Sequence, residues 1–482
     1  MLYNYLLKFR ISGEAFYMKE IKEYCGVFGI YNSEHAAYYT YLGLYALQHR
    51  GQESAGIAVF NGKNIDYHKG FGLVSGVFST EALDSLQGNI AIGHNRYSTS
   101  GASDSIDNVQ PIVVSSKIGN IAISHNGNIV NALKFRKKLE DEGSIFRGTS
   151  DSEVIVHLIV KSKKGTVEEK IIDAVTKLEG AFSLLILNNN KLIALRDPWG
   201  FRPLVMGELE DSIIFASETC ALDLLGAKYV RDVEPGEMVI VDETGIKSLY
   251  PFKNRNCRKS QCIFEFVYFS RPDSHIFGKS VYSIRKEFGK TLARENPVEA
   301  DVVIAVPDSG LVPAIGYSEE SGIPFQLGFI RNHYVGRTFI KPTQKTRDIS
   351  VKVKLNPVPD VLKGKRVIVI DDSIVRGTTS RKIVRMLKEA GATEVHMRIS
   401  SPPTKWPCYF GIDTPTKDQL IASNHSIEEI AEYIEADSLA YLSLEGMLKA
   451  AGGKECGYCT ACFDGDYPIS IPKEIIEQAK KE

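Results

Sequence analysis

The chain has 482 residues, 43% of them hydrophobic and 24% charged, and its 58 basic side chains nearly balance 59 acidic ones. A length beyond one ordinary core predicts two domains, and the balanced charge argues against a protein of nucleic acids or membrane surfaces. No apolar run approaches the roughly 20 residues that span a bilayer, and the short apolar start lacks a secretory cleavage pattern, so we expect a cytoplasmic protein.

The first half, from Cys25 to about Asp242, consists of short apolar runs bounded by Gly, Asn or Asp. Their pattern predicts buried strands and two intervening helices. The strands are expected at 119–124, 181–187, 191–195, 212–216 and 238–241, and the helices at 132–142 and 152–164. Strands, then helices, then strands indicate a layered α+β domain with sheets in the middle.

Cys25 opens a strand-like run, and polar clusters lie at the ends of several apolar strands. Those clusters contain Arg96, Asn126-Gly127 and Asp151. Together they offer an arginine for a carboxylate, an aspartate for an amino group, and an amide with a glycine N–H for an oxyanion. These groups suffice to bind an amino acid and attack its side-chain carbonyl. Taken alone, Cys25 also suits a small buried core residue.

The order of these clusters resembles the class II glutamine amidotransferases, which are N-terminal-nucleophile (Ntn) hydrolases. The resemblance implies that Cys25 attacks the glutamine amide while its own α-amino group acts as the base. It also implies that Arg96 binds the substrate carboxylate, that Asp151 binds its ammonium, and that Asn126 with the N–H of Gly127 forms the oxyanion hole.

Residues 1–24 precede Cys25, so the encoded chain lacks the free α-amine that this role requires. We expect a propeptide, removed between Tyr24 and Cys25. Met18 as the true start, with a shorter leader, fits equally well. The alternative is an N-terminal extension on an inactive glutaminase.

The second half alternates strands and helices, which predicts a parallel, doubly wound sheet. Strands are expected at 301–306, 366–370 and 394–399, and helices at 311–321 and 379–390, the latter ending at Gly391. A polar, basic stretch at 250–261 separates the two patterns. We therefore place the domains at 25–255 and 256–482.

The run from Val367 to Ser380 reads VIVIDDSIVRGTTS. A buried strand delivers Asp371 and Asp372 to its carboxyl end, where ligands bind in open α/β sheets. A loop with Gly377 then enters a helix whose free N–H groups suit a phosphate. Carboxylates beside a phosphate loop fit a sugar phosphate and Mg²⁺. A helix merely capped after a strand is the alternative.

This run resembles the phosphoribosyl pyrophosphate signature of the type I phosphoribosyltransferases. The resemblance implies that Asp371 and Asp372 hold ribose and Mg²⁺. It assigns the pyrophosphate to a loop after an earlier strand, in which Ser309 also contacts the metal. The implied 5′-phosphate residues are Ser373, Gly377, Thr378, Thr379 and Ser380, and the implied pyrophosphate residues are Asp308, Ser309 and Gly310.

A basic segment from Arg331 to Arg347 resembles the loop that closes over this substrate in that family. The resemblance makes Arg337, Lys341 and Arg347 its expected anion contacts. A basic loop that is merely solvated is the alternative.

Eight cysteines in a large protein of this kind indicate thiols, a nucleophile or metal ligands rather than a disulfide framework. Three of them form two consecutive C-x-x-C steps, Cys456-Gly-Tyr-Cys459-Thr-Ala-Cys462. Chance rarely produces that spacing. Cys220, in what we interpret as a strand-rich stretch, is expected to be core.

A glutaminase followed by a phosphoribosyltransferase closely resembles the amidophosphoribosyltransferase family. The resemblance implies an αββα Ntn domain before a doubly wound domain. The implied reaction makes phosphoribosylamine, glutamate and pyrophosphate from glutamine and phosphoribosyl pyrophosphate, the first step of purine synthesis. The family also implies a homotetramer and feedback inhibition by purine nucleotides.

One branch of that family carries a propeptide and a [4Fe–4S] cluster. Four cysteines match its ligand set, namely Cys262, Cys408, Cys459 and Cys462. Four thiolates also suit zinc, and the sequence does not separate the two metals. Cys257 and Cys456 are near misses in spacing that could replace Cys262 or Cys459.

Two other functions compete with this one. Another amidotransferase would need a sugar isomerase or an ATP-pyrophosphatase half, and the sequence contains neither signature. A regulatory protein that senses phosphoribosyl pyrophosphate would need no glutaminase half, whereas Cys25, Arg96 and Asp151 are all present.

Overall fold

The computed structural model of the chain describes residues 25–97, 105–332 and 355–479. Its first half is built on antiparallel strands. They are β1 Gly26–Tyr31, β2 Ser54–Phe60, β3 Ile65–Phe71, β4 Ile90–Arg96, β5 Ile112–Ser116, β6 Gly119–Ile129, β7 Gly180–Asn188, β8 Lys191–Arg196, β9 Val205–Leu209, β10 Ser212–Ala216, β11 Lys228–Asp232, β12 Met238–Asp242 and β13 Gly245–Leu249.

These strands form two sheets with the orders β11-β9-β10-β1-β4-β2-β3 and β13-β12-β8-β7-β6-β5. Successive side chains of β1 show why the sheets stack, since neighbouring strand residues point to opposite faces. Val27 packs with Leu185 and Ala194 of the other sheet, whereas Phe28 packs with Leu44 on the helical side.

Helices cover both outer faces of this pair of sheets. The helices of the first half are α1 Ala36–Ala46, α2 Val74–Val77, α3 Thr80–Asp84, α4 Ala132–Asp141, α5 Asp151–Lys161, α6 Val167–Val175 and α7 Cys220–Leu225. The core on one side joins α1 and α7 to the first sheet. The core on the other joins α4, α5 and α6 to the second. The result is the predicted αββα arrangement.

The second half has a central parallel sheet in the order β17-β20-β21-β22. Its strands are β17 Val302–Ala305, β20 Arg366–Asp371, β21 Glu394–Ile399 and β22 Ser438–Tyr441. Short pairs surround it: β14 Gln261–Cys262 with β23 Tyr458–Cys459, β15 His275–Ile276 with β16 Lys279–Ser280, and β18 Phe329–Arg331 with β19 Leu355–Pro357.

Helices lie on both faces of the parallel sheet, which makes it doubly wound. The helices of the second half are α8 Val281–Glu295, α9 Leu311–Ser321, α10 Pro359–Leu362, α11 Thr378–Glu389, α12 Ile421–Asn424, α13 Ile427–Ile434, α14 Leu444–Ala450, α15 Ala461–Asp464 and α16 Lys473–Ala479. Ile368 and Ile370 face the core with α8 and α9, while Val367 and Val369 face the core with α11 and α13.

The predicted elements are present, with boundary shifts of a few residues. β10, α9 and β21 match their predicted bounds, and β6 extends five residues further, to Ile129. The strand-rich interpretation around Cys220 is wrong because that residue begins a helix, although its side chain is buried as expected. The domain boundary between 255 and 256 stays a prediction. Among the residues that the structure describes, no helix is long and apolar enough to cross a membrane.

Candidate active sites

Cys25 lies just before β1 and is only 8% exposed. Its Sγ is 3.6 Å from the main-chain oxygen of Tyr97. Burial raises the pKa of the Cys25 thiol to about 11, although the nearby Arg96 guanidinium opposes the shift. A thiol with this pKa is protonated at neutral pH, so it needs a base before it can act as a nucleophile.

Arg96 and Asp151 supply opposite charges near Cys25. Arg96 ends β4 and is 3% exposed, while Asp151 begins α5 and is 9% exposed. The Oδ2 of Asp151 accepts a 2.8 Å hydrogen bond from the N–H of Ile129, which fixes the carboxylate. A buried cation and a buried anion beside one thiol suit an α-amino acid, whose carboxylate and ammonium they can pair.

Asn126 and Gly127 lie side by side on β6. The Asn126 side chain is fully buried, yet neither its oxygen nor its nitrogen has a hydrogen-bond partner within the part of the chain that the structure describes. An unpaired buried amide is costly, so its retention favours a ligand that satisfies it. Gly127 has φ +150°, and a Cβ there would lie 1.9 Å from the main-chain oxygen of Ala181. Only glycine fits.

The acidic pair of the second half lies at the carboxyl end of β20. Asp371 is 7% exposed and Asp372 is 8% exposed. Burial raises the pKa of Asp372, while hydrogen bonds from Ser309 and Ser373 and the charge of Arg285 oppose that shift. These partners keep a buried carboxylate available for a metal or a hydroxyl group.

The loop at 306–310 follows the neighbouring strand β17 and meets the acidic pair. Its Val306 N–H donates to the oxygen of Ile370 over 2.9 Å. A Cβ on Gly310 would lie 2.2 Å from that same oxygen, so this close approach requires glycine. Asp308 is 61% exposed and forms an ion pair with Arg331.

Gly377 caps the helix Thr378–Glu389 with a left-handed φ of 74°, and no side chain from the described ranges caps the helix. Its first turn, which carries Thr378, Thr379 and Ser380, therefore offers main-chain N–H groups at the end of the loop that follows the acidic pair. The N-terminus of such a helix attracts a phosphate.

Four cysteine thiols converge where the two halves meet. Cys262 and Cys459 are directly paired in the parallel strands β14 and β23. The Cys462 thiol interacts electrostatically with those of Cys262, Cys459 and Cys408. Burial raises the pKa of the thiols of Cys262, Cys459 and Cys462.

Main-chain N–H groups point at all four sulfur atoms. Phe410 donates to the Sγ of Cys408 over 3.3 Å. Three further N–H groups, of Phe264, Ala461 and Cys462, lower the pKa of Cys262, Cys459 and Cys462 respectively. Such donors stabilise thiolates, and buried thiolates need a cationic centre to balance their charge.

Comparison with known proteins assigns each half. Residues 94–224 match the family model described as glutamine amidotransferase domain, and residues 282–400 match the phosphoribosyl transferase domain. Amidophosphoribosyltransferase from Bacillus subtilis is 51% identical over 470 residues, covering 96% of this chain and 98% of the relative. The enzyme from Methanocaldococcus jannaschii is 52% identical over 469 residues, covering 94% and 99%.

This chain belongs to the amidophosphoribosyltransferase family. Two solved structures support the same assignment. Glutamine phosphoribosylpyrophosphate amidotransferase from B. subtilis, complexed with ADP and GMP, has a TM-score of 0.89 at 51% identity and covers 93% of this chain and 98% of that one. The structure described as the allosteric regulatory enzyme of purine biosynthesis has a TM-score of 0.90 at 50% identity, covering 95% and 99%.

The structure brings several of the predicted site residues together. Arg96 and Asp151 lie close enough to Cys25 to shift the pKa of its thiol, and Ser309 and Ser373 form hydrogen bonds with Asp372. Asn126 and Gly127 lie on β6, whose Ile129 donates to Asp151. The grouping of the other predicted residues stays a prediction. Residues 1–24, Arg337, Lys341 and Arg347 lie outside the residues that the structure describes.

Sequence reasoning missed a hydrogen-bonded layer behind the glutaminase site. The Nδ1 of the His125 ring is 2.8 Å from the Ser152 hydroxyl oxygen. The main-chain N–H of His125 donates to the side-chain Oε1 of Gln110 over 2.7 Å. Because His125 precedes Asn126 and Ser152 follows Asp151, this layer sets the separation of the two site residues. The position of His125 and Ser152 directly beside Asn126 and Asp151 in the sequence was the signal that could have identified this layer.

The two near-miss cysteines lie in different places. Cys257 packs in the same core cluster as Cys408 and Cys459. Cys456 instead has Lys279 as its neighbour, with Nζ 3.2 Å from Sγ. Cys456 also packs against the core cluster that contains Cys262 and Cys462, so the roles of Cys257 and Cys456 stay open.

Proposed function

We propose that the chain releases ammonia from glutamine and transfers it to phosphoribosyl pyrophosphate, giving 5-phosphoribosylamine, glutamate and pyrophosphate in the first step of purine synthesis. One chain combines two groups of residues, and this combination carries the proposal. The first is a buried thiol near Arg96 and Asp151, with a buried Asn126 that has no hydrogen-bond partner among the described residues. The second is a pair of carboxylates with a phosphate loop.

In the first site, Cys25 attacks the side-chain carbonyl of glutamine. Arg96 pairs with the substrate carboxylate and Asp151 with its ammonium, which orients the carbonyl toward Sγ. The α-amine of Cys25 takes the thiol proton and passes it to the leaving ammonia. The Asn126 amide and the Gly127 N–H donate to the oxyanion. Water then hydrolyses the thioester to glutamate.

In the second site, ammonia attacks the anomeric carbon and pyrophosphate leaves. Asp371 and Asp372 accept hydrogen bonds from the ribose hydroxyls, and the loop from Ser373 to Ser380 binds the 5′-phosphate. Bound Mg²⁺, held by Asp371, Asp372 and Ser309, would neutralise charge on the leaving pyrophosphate. We assign the remaining pyrophosphate contacts to Asp308, Gly310, Arg337 and Lys341.

Coupled product formation tests this function. Purified protein supplied with glutamine, phosphoribosyl pyrophosphate and Mg²⁺ should form glutamate and pyrophosphate in equal amounts. Ammonia should replace glutamine as the nitrogen source. Pyrophosphate release without any glutamate, under conditions in which the thiol is intact, would contradict the proposal.

We also propose that residues 1–24 are removed before Cys25 acts, because an internal cysteine has no α-amine. The intact mass of active enzyme should begin at Cys25. Active protein that still carries Tyr24 would overturn this part.

We propose that Cys262, Cys408, Cys459 and Cys462 hold a [4Fe–4S] cluster with a structural role. The match of all four cysteines to the ligand set of the cluster-containing branch supports this assignment, and zinc, which four thiolates also suit, is the alternative. Anaerobic protein should contain iron and sulfide and absorb broadly near roughly 400 nm. Stoichiometric zinc without iron would refute it.

Regulation and assembly are proposed from the relatives. The B. subtilis structure is a complex with ADP and GMP, which supports inhibition of this chain by purine nucleotides, and we propose a homotetramer. Eight free cysteines support a reducing compartment such as the cytoplasm. Light scattering with and without the nucleotides, combined with inhibition assays, tests both statements.

A further inference from the structure

Glu265 is the first residue of a short π-helix, Glu265–Phe269, in the segment that follows the first half. Arg50, from the first half, donates two hydrogen bonds of 3.0 and 2.9 Å to the Glu265 carboxylate. The Nε of the same guanidinium donates to the main-chain oxygen of Cys25 over 3.2 Å. One arginine therefore joins the main chain of the nucleophile to a carboxylate 240 positions away in sequence.

The ionic network around Arg50 and Glu265 is buried from solvent, and its charges balance. The side chains of Arg50, Arg202, Glu218 and Glu265 are all 0% exposed, and their ion pairs cancel two positive against two negative charges. Burial alone would raise the pKa of Glu265, but the charge and hydrogen bonds of Arg50 together with the charge of Arg202 outweigh it, and the pKa falls below its usual value. Glu265 is thus ionised, and a buried ionic group that loses one partner is strongly destabilised.

The second half holds Glu265 from its other side. The Ser270 hydroxyl donates to Glu265 over 2.7 Å. Arg285, on α8, donates to the main-chain oxygens of Phe266 and Ser270 over 2.7 and 2.8 Å. The π-helix is therefore fixed to the transferase core, and Glu265 is a rigid anchor rather than a mobile surface group.

We propose that Glu265 is a positioning residue of the glutaminase site, acting through Arg50 on the main chain of Cys25. The inference rests on the proposed function. In the part of the chain that the structure describes, the side-chain hydrogen bonds of Glu265 go to Arg50, Arg202 and Ser270. None of these is a group assigned to glutamine itself. Loss of Glu265 moves the nucleophile and leaves the substrate contacts in place, so it lowers kcat for glutamine hydrolysis and spares KM.

Glu265→Gln in the full-length protein tests the proposal, with Glu265→Asp as a second variant that keeps the charge. Misplacing a nucleophile by an ångström costs about 100-fold. We expect a loss of that order in kcat for glutamine hydrolysis with KM near the native value. The rate of Cys25 alkylation by a chloroketone analogue of glutamine should fall in parallel. The ratio of glutamine-dependent to ammonia-dependent transfer should fall by a similar factor.

Glu237→Gln is the matched control, because Glu237 is also buried and accepts two hydrogen bonds, of 2.7 and 2.8 Å, from Arg231. It should lower the melting temperature without changing that ratio. If Glu265→Gln does not fold, Glu265→Asp must show the kcat loss. Native kcat in a folded Glu265 variant, or equal losses of glutamine-dependent and ammonia-dependent transfer, would overturn the inference. Absence of both activities in the native protein would instead refute the proposed function.

Discussion

The two candidate sites are built in contrasting ways. The glutaminase site consists of side chains locked between sheets: Cys25, Arg96, Asn126 and Asp151 are each at most 9% exposed. The transferase site lies at an open sheet edge, where Asp308 is 61% exposed and a helix N-terminus supplies its donors. A small amino acid can be gripped by a preformed pocket, whereas a sugar with three phosphate groups needs an accessible surface and main-chain donors.

The contrast also concerns what supports each site. The acidic pair is supported by its own half, through Ser309, Ser373 and Arg285. The glutaminase site leans on the other half: Asn128 donates to the main-chain oxygen of Tyr409 over 2.8 Å. Gly411 packs against Gly127 so closely that an added Cβ would lie 3.2 Å from its carbonyl carbon. The comparison predicts that damage to the second half also weakens glutamine hydrolysis, while the reverse effect is smaller.

Cys25→Ser should produce the largest effect. A hydroxyl is a much weaker nucleophile than a thiolate, and loss of a nucleophile costs roughly three to six decades in rate. Glutamine-dependent formation of phosphoribosylamine should disappear, while high ammonia restores it. The test should use a chain that begins at residue 25, so that failed processing does not interfere. If ammonia does not restore activity in a folded, iron-replete variant, the two-site scheme is wrong, and Cys25 takes part in the transfer step itself.

Asp371→Asn combined with Asp372→Asn should separate the sites in the other direction. Neutral amides cannot stabilise positive charge at the anomeric carbon, and losing one oriented charge contact costs about two decades. Pyrophosphate release should become undetectable while glutamine hydrolysis stays measurable. Near-normal pyrophosphate release would show that the acidic pair does not serve the transfer step.

Asn126→Ala tests the unpartnered amide. If it donates only to the oxyanion, kcat for glutamine hydrolysis should fall about 100-fold or more, with little change in KM. The thermal stability should not fall much, since the side chain has no hydrogen-bond partner among the described residues to lose. A large loss of melting temperature with near-native kcat would assign Asn126 to the fold instead.

Asn128→Ala should have the smallest effect. It removes the hydrogen bond to Tyr409, and one such bond contributes about 1 kcal/mol, which corresponds to roughly a fivefold change. Glutamine hydrolysis should fall by that order while ammonia-dependent transfer is retained. Asn131→Ala is a suitable control, because Asn131 bonds within the first half, to Lys177. Equal effects of the two variants would show that the hydrogen bond between Asn128 and Tyr409 does not support glutamine hydrolysis.

The sequence by itself determined what depends on neighbouring residues. The helix Leu311–Ser321 and the strand Glu394–Ile399 matched their predictions because hydrophobic period and turn residues act locally. The acidic pair and its phosphate loop were also predictable from the sequence, since all of their parts lie within a single strand–loop–helix unit. The interpretation of the stretch around Cys220 as strand-rich was wrong, because the tertiary setting overrode a weak local pattern and α7 forms there instead.

Only the tertiary structure decided which distant groups meet. Arg50 and Glu265 are 215 positions apart, and no local pattern relates them. Packing alone revealed that Asn126 lacks a hydrogen-bond partner within the described ranges and that four thiols share one buried region. Long-range contacts of this kind depend on how two sheets and two halves pack, whereas a sequence pattern reports only the face on which each residue lies.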